Sequence, residues 1–188
     1  VKMEREGVIK FQIETAQKTI NTYDYGSVQA QLLEWSRVFR KMGWLGVDAA
    51  RYGGLGFGNL SMRIGNRMDG CGQRSFMVTG SQTGSIAALS SEHLATVERY
   101  SLKDRTVWKR PGVDPSSESM THAAVYDSVP NARVCFHIHC PTIWRARTQI
   151  GLPIVPTHIR YGTSEMSSAI RMLCIHEKVG YNQPIAMG

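Results

Sequence analysis

Val134-Cys135-Phe136-His137-Ile138-His139-Cys140-Pro141 alternates apolar side chains with possible metal ligands and then stops at a proline. In a strand, successive side chains point to opposite faces, so Val134, Phe136 and Ile138 are expected in the core while Cys135, His137 and His139 share the other face. Two imidazoles on one face can hold one cation. Zn²⁺ accepts neutral histidine nitrogens, and a catalytic zinc takes three protein ligands and leaves a fourth position open. At least one ligand must therefore come from elsewhere. Upstream, Pro115-Ser116-Ser117-Glu118 supplies a carboxylate able to move a proton. Two plainer readings stand beside these: surface imidazoles on a strand, and a glutamate favoured at a helix start by the dipole.

A chain of 188 residues, 42% hydrophobic and 20% charged, is most simply one domain and can bury a core without disulfide or metal staples. No apolar run approaches the ~20 residues of a membrane helix, and the Lys- and Glu-containing start lacks a signal-peptide core. A cytoplasmic protein with no membrane partner is the expectation. Cys71, Cys135, Cys140 and Cys174 show no CxxC spacing and are expected as free thiols. The formal net charge of +7, from 22 Lys and Arg against 15 Asp and Glu, favours an anionic partner. The basic residues are dispersed and form no nucleic-acid motif, so a small phosphorylated metabolite is expected and nucleic acid is not.

Around the opening stretch the pattern sorts into elements. The segment up to about Tyr25 is weakly patterned, and Gly26-Ser27 reads as a helix entry. Leu32, Trp35, Phe39 and Met42 recur at helical spacing and predict an amphipathic helix that stops near Gly43 and packs on a sheet. Gly53 to Gly58 is glycine-dense, either a tight turn or a loop beside a ligand, and lacks the GxGxxG and GxxxxGK[ST] fingerprints. Ser75 to Val78 predicts a strand entering Thr79-Gly80-Ser81-Gln82-Thr83-Gly84, a loop whose hydroxyls and free amides suit phosphate. His93 to Arg110 predicts two strands around a Lys103-Asp104-Arg105 turn. Ser116 to Val129 predicts a helix capped by Ser117, which places the two serines at an anion-favouring helix N-terminus. Further helices are expected over Thr142 to Gln149 and Ser164 to about Glu177, and Asn182 to Met187 looks like the start of a last strand. The four tryptophans are expected in the core or in subunit contacts.

Gly58-Asn59-Leu60-Ser61, Thr79-Gly80, Pro115-Ser116-Ser117-Glu118 with His122 and Tyr126, and His137-Ile138-His139 occur in this order and at these separations in one family. From about Glu34 to Gly188 the chain resembles the class II aldolase and adducin head-domain family, whose members include sugar-phosphate aldolases, an epimerase and a dehydratase. The resemblance implies an α/β fold: a single three-layer αβα domain, residues 1–188, around a central, mainly antiparallel sheet. It implies that Asn59, Thr79, Gly80, Ser116 and Ser117 bind the substrate phosphate and that Glu118 is the acid/base. It implies Zn²⁺, or another divalent cation, on His137 and His139. The family's third ligand is a histidine just after a late strand, which is expected beyond Gly188, with the C-terminal end of the domain missing. His158 is a weak alternative ligand and His176 a weaker one, while His122 is expected as a partner behind the site or a packed residue. Tyr161 could donate a proton, but its surroundings match poorly. The family is commonly a cyclic homotetramer, so a homo-oligomer is expected.

The implied activity is that of a zinc-dependent aldolase or lyase acting on a small phosphorylated sugar or keto compound through a metal-stabilised enediolate. An epimerase or dehydratase of the same family is the near alternative. A non-catalytic adducin-like binding or scaffold domain is the distant one, and the retention of His137, His139 and Glu118 argues against it. A metal-dependent hydrolase barrel also uses HxH, but there the motif follows the first strand, and such a barrel needs about 250 residues.

Overall fold

Alternation along the strands sorts the apolar side chains into two cores, one on each face of a central sheet. The computed structural model describes residues 8–17, 25–177, 179 and 182–187. In chain order its elements are β1 (Gln12–Thr15), α1 (Gly26–Lys41), β2 (Gly46–Val47), β3 (Gly56–Phe57), β4 (Asn59–Arg63), β5 (Phe76–Thr79), β6 (Leu94–Ser101), β7 (Thr106–Lys109), α2 (Ser119–Ser128), β8 (Val134–His137), α3 (Pro141–Ala146) and α4 (Ser164–His176). Six strands form the main sheet in the order β1-β7-β6-β5-β4-β8, and β2 and β3 form a separate hairpin. Among the described strands of this sheet, β1 pairs parallel with β7, and the other neighbours are antiparallel. The expected mainly antiparallel sheet between helical layers is what forms.

On one face Leu60, Met62, Met77 and Leu94 meet Leu32 and Phe39 of α1. On the other, Phe76, Val78, Ala95, Val97 and Val107 meet Met120, Ala123 and Tyr126 of α2. Behind α2, Met166, Ile170 and Cys174 of α4 close a third cluster around Val155. Two-sided burial of this kind is what lets a sheet stand in the middle of a domain. Helix α1 carries Arg40 and Lys41 in its last turn, where cations complement the helix dipole. Arg40 does more than that: it donates to the carbonyls of Gly84 at 2.9 Å and Thr83 at 3.0 Å, tying the helix end to the loop after β5.

Several expectations shift. Val134 is 40% exposed rather than buried, because β8 is the outermost strand and Val134 sits at its far end, while Phe136 and Ile138 do pack on the α1 core. Helix α2 begins at Ser119, with Glu118 in the cap position and no side-chain cap, so Ser117 does not cap it. Instead Ser116 turns the chain in: its carbonyl accepts from the Ser119 amide at 2.9 Å and from the Ser119 hydroxyl at 2.7 Å. Helix α3 stops at Ala146, short of the expected Gln149. Ala186 makes an isolated parallel bridge to Ile154 in place of the anticipated last strand, and Gly188 lies outside the described residues. Strand β1, in the stretch read as weakly patterned, pairs with residues 106–109, a partner that no local pattern could announce. All four cysteines are free. Among the described residues, no helix is long and apolar enough to cross a membrane.

Leu32 is fully buried between α1 and the sheet. Leu32→Ala is expected to cost about 2–5 kcal/mol in urea unfolding, whereas Met68→Ala, at a position 88% exposed, should change stability by less than about 0.5 kcal/mol.

Candidate active site

The pairing of β4 with β8 sets Asn59 directly opposite His137. Their side chains meet, with the Asn59 amide nitrogen 3.3 Å from His137 Nδ1. Just before Asn59, Gly58 adopts φ +77°, and a Cβ there would come within 3.0 Å of the His137 carbonyl oxygen. Only glycine takes that backbone conformation at little cost while letting the strands close. His139 lies two residues past the end of β8, and its amide donates to the Trp44 carbonyl at 2.8 Å. The two imidazole centroids are 4.9 Å apart with their planes 29° from parallel, so both rings stand on the same side, as the strand pattern predicts.

Glu118 comes to the same place from the opposite layer, at the start of α2. It is 3% exposed; its Oε2 accepts from the Thr121 hydroxyl at 2.7 Å, and its Oε1 is buried with no hydrogen-bond partner. A Cβ added at Gly162 would lie 3.4 Å from the Ser117 carbonyl and 3.6 Å from Glu118 Oε1, so the Tyr161–Gly162 backbone covers this carboxylate closely. The result is a cleft of about 470 Å³ bordered by Asn59, Gly80, Ser116, Ser117, Glu118, His137 and His139, with Tyr161 at its edge.

Three other candidates are not brought there. Thr79 does not border the cleft: it is buried, and its hydroxyl accepts from the Leu60 amide at 3.2 Å, bracing β4 against β5. His158 is exposed and away from the cleft, and His176 ends α4. The loop after β5 is also less open to an anion than its composition suggests. The Gly80 amide donates to the His93 carbonyl and the Ser81 amide to the Asp114 carbonyl, each at 2.8 Å. The loop owes its path to a backbone contact: a Cβ on Gly56 would fall 2.8 Å from Gly84 Cα, and one on Gly84 only 2.4 Å from Gly56 Cα.

Burial sets the charge state. His137 is held below its ordinary pKa by burial, which Glu118 partly offsets. His139 is pushed down to about 3, chiefly by burial and then by His137 and Arg51. Neutral imidazole is the form that offers a lone pair to a cation. Cys135 is pushed up to about 12 by burial first, then by Cys174 and Glu118. In the metal-free protein it therefore stays a thiol. Behind the site, His122 Nδ1 is 2.6 Å from the Ser61 hydroxyl, which is itself 2.7 Å from the Tyr126 hydroxyl. A serine beside a histidine can be a nucleophile, but Ser61 is fully buried and no substrate atom can reach it. His122 is thus the packed partner behind the site that the sequence anticipates.

Residues 35–181 match the family model described as the class II aldolase and adducin N-terminal domain. The chain belongs to this family. Among solved structures, YgbL from Klebsiella pneumoniae, a proposed aldolase, epimerase or decarboxylase, superposes with a TM-score of 0.59 at 18% identity, over 81% of this chain and 72% of that one. YgbL from Escherichia coli gives 0.59 at 16% identity, over 86% and 74% of the two chains. An L-fuculose 1-phosphate aldolase gives 0.53 at 16% identity, over 76% and 65%. At these identities the likeness is one of fold. No curated protein matches the chain significantly.

At the cleft, two contacts lie outside what the sequence motifs announce. Thr121 holds Glu118 from one helical turn away, a spacing visible in sequence once Glu118 is singled out. Tyr52 places its hydroxyl 2.6 Å from His139 Nδ1 across 87 positions, which no local signal announces.

His122 is fully buried and its pKa falls to about 3, through burial first and then His137. Because the folded value lies below the ordinary 6.5, the unfolded chain binds the proton more readily. The stability this group contributes is complete above pH 6.5 and is lost as pH falls toward about 3, by up to ~1.4 kcal/mol per pH unit. In the metal-free protein, His122→Gln should flatten that stretch of the stability-against-pH curve measured by urea unfolding.

Proposed function

We propose that the protein is a divalent-metal-dependent enzyme of lyase type that acts on a small phosphorylated sugar or keto compound, with zinc as the ion. The observation that carries this reading is the meeting of His137, His139 and Glu118 on one cleft, with Glu118 Oε1 and His139 Nε2 both buried and unpartnered. A buried polar atom left unpaired is costly, and cleft-facing ones are accounted for by a ligand that completes them. The donor set suits a cation: two neutral imidazoles whose centroids are 4.9 Å apart. Among the described residues no group of three or more His, Cys, Asp and Glu is arranged to hold a metal, so a third protein ligand has still to be supplied. A divalent ion held by His137 and His139 would polarise a substrate oxygen and stabilise negative charge developing on it.

The chain's own groups account for the rest. Glu118 keeps Oε2 fixed by the Thr121 hydroxyl and leaves Oε1 to take a proton from carbon next to a carbonyl and to return it. A placed carboxylate of this kind contributes about 10²- to 10⁴-fold. Asn59, Ser116 and Ser117 border the cleft and, in this reading, hold the phosphate; Thr79, whose hydroxyl serves Leu60, and Gly80, whose amide serves His93, are left out of that role. Epimerisation next to the carbonyl and loss of water begin with this proton transfer, whereas carbon–carbon cleavage ends with its reverse, the return of a proton to the released carbon; the YgbL proteins' proposed activities span similar ground. The protein is taken to work as a cytoplasmic homo-oligomer, tetrameric by family resemblance, without nucleic-acid or membrane partners.

Metal analysis of the purified full protein should find a stoichiometric divalent ion; a protein free of metal and unable to bind zinc sinks this function. Glu118→Gln should keep the ion and lose about 10²- to 10⁴-fold in kcat when phosphorylated ketoses and aldehydes are screened. Ser116→Ala should raise KM for a phosphorylated substrate while leaving its unphosphorylated analogue nearly unchanged, and equal losses on both would remove the phosphate from the proposal.

A further inference from the structure

Tyr52 stands in a conformation that tyrosine rarely adopts. Its φ is +51°, followed by +64° at Gly53 and +76° at Gly54, so three consecutive residues lie in the left-handed region after an extended Arg51. Glycine, asparagine and aspartate enter that region readily, whereas a Cβ-bearing aromatic residue is strained there. Such strain persists where the surrounding contacts hold it, and it gathers at functional sites. Here the side chain's contacts centre on His139. The Tyr52 hydroxyl is 2.6 Å from His139 Nδ1, and its ring meets the His139 ring edge-on, with centroids 4.8 Å apart at 89°. Phe57 closes the box, 5.3 Å from Tyr52 and 5.2 Å from His139. The preceding residue helps: Arg51 donates to the His139 carbonyl at 3.3 Å, so two neighbouring residues grip this histidine by ring and backbone.

The hydroxyl can meet Nδ1 in two ways. If Tyr52 donates, the ring proton sits on Nε2, which is buried and has no acceptor. If Nδ1–H donates to the tyrosine oxygen, Nε2 carries a lone pair and the phenolic proton turns to water, which a residue 43% exposed can reach. Only the second arrangement suits a cation ligand, because the partner of one ring nitrogen decides what the other can do. We infer that Tyr52 is a positioning residue for His139: its hydroxyl accepts the Nδ1 proton, so that Nε2 is the ligating atom and the ring orientation is set before the ion arrives. This rests on the metal-binding reading above and adds to it a residue that the HxH motif does not contain.

The test titrates zinc into the full protein against a competing chelator, for wild type and Tyr52→Phe. Phenylalanine keeps the ring and the backbone demand and removes only the hydroxyl. The expected result is zinc affinity about 10- to 100-fold weaker, with unfolding of the metal-free proteins unchanged. In the zinc-loaded wild type, proton NMR should show a slowly exchanging, downfield Nδ1–H of His139 that disappears in the variant, a signal that a purely structural role would not move. Equal zinc affinity in the two proteins, or persistence of that resonance in Tyr52→Phe, overturns the inference while leaving the metal site standing. Wild type that binds no divalent ion overturns the metal reading itself, and this inference with it. If Tyr52→Phe unfolds more readily, Tyr52→His supplies the second comparison: a shorter polar ring that restores neither affinity nor the resonance supports the hydroxyl's role, and one that restores both overturns it.

Discussion

Everything at the cleft hangs on one ladder, the antiparallel pairing of β4 with β8. Its register places Asn59 against His137 and Leu60 against Phe136. Since side chains alternate, sliding β8 by one residue would turn both histidines into the α1 core and Phe136 and Ile138 toward the cleft. That slip is opposed from both sides. Phe136 lies against Phe39 and Trp35 at ring-centroid distances of 5.3 and 5.6 Å, and the His139 amide is held by the Trp44 carbonyl. The aromatic packing on one face of the edge strand thereby secures the chemistry on the other.

Much of this was legible in the chain because it is encoded locally. Helix α1 shows as a 3.6-residue rhythm in Leu32, Trp35 and Phe39, β6 and β7 as apolar runs around a polar turn, and the HxH strand as a period of two. The family motifs carried the site further than periodicity could, since they joined Glu118 to His137 and His139 without any knowledge of the fold. What escaped was non-local or depended on hydrogen bonds already made. Strand β1 is mostly exposed and owes its existence to β7. Thr79 and the Gly80 and Ser81 amides look available in sequence, yet folding commits them to Leu60, His93 and Asp114. Val134 fits the apolar phase of its strand but lies where the sheet runs out. Composition announces donors; only the fold says which are already in use.

The site also shows how a polar cluster survives at the bottom of an apolar layer. Ser61 bonds both His122 Nδ1 and Tyr126 in full burial, while His122 Nε2 has no partner, so the sheet face beneath His137 is buried without being apolar. Neutral histidines result on both levels, since burial disfavours the charged ring at His122, His137 and His139 alike.

The contact between Gly56 and Gly84 has a consequence for how such a protein can diversify. Where two backbones touch without side chains, the wall has no volume to trim and none that can be added without moving the chain, and Arg40 anchors Gly84 to the end of α1. Mutation therefore has little purchase there. New specificities would have to arise from side chains on the rim, such as Gln82, Ser85 and Val47, which border the same cleft and carry volume that exchange can alter. The molecule thus separates a stretch of wall that is closed to variation from a rim that is open to it.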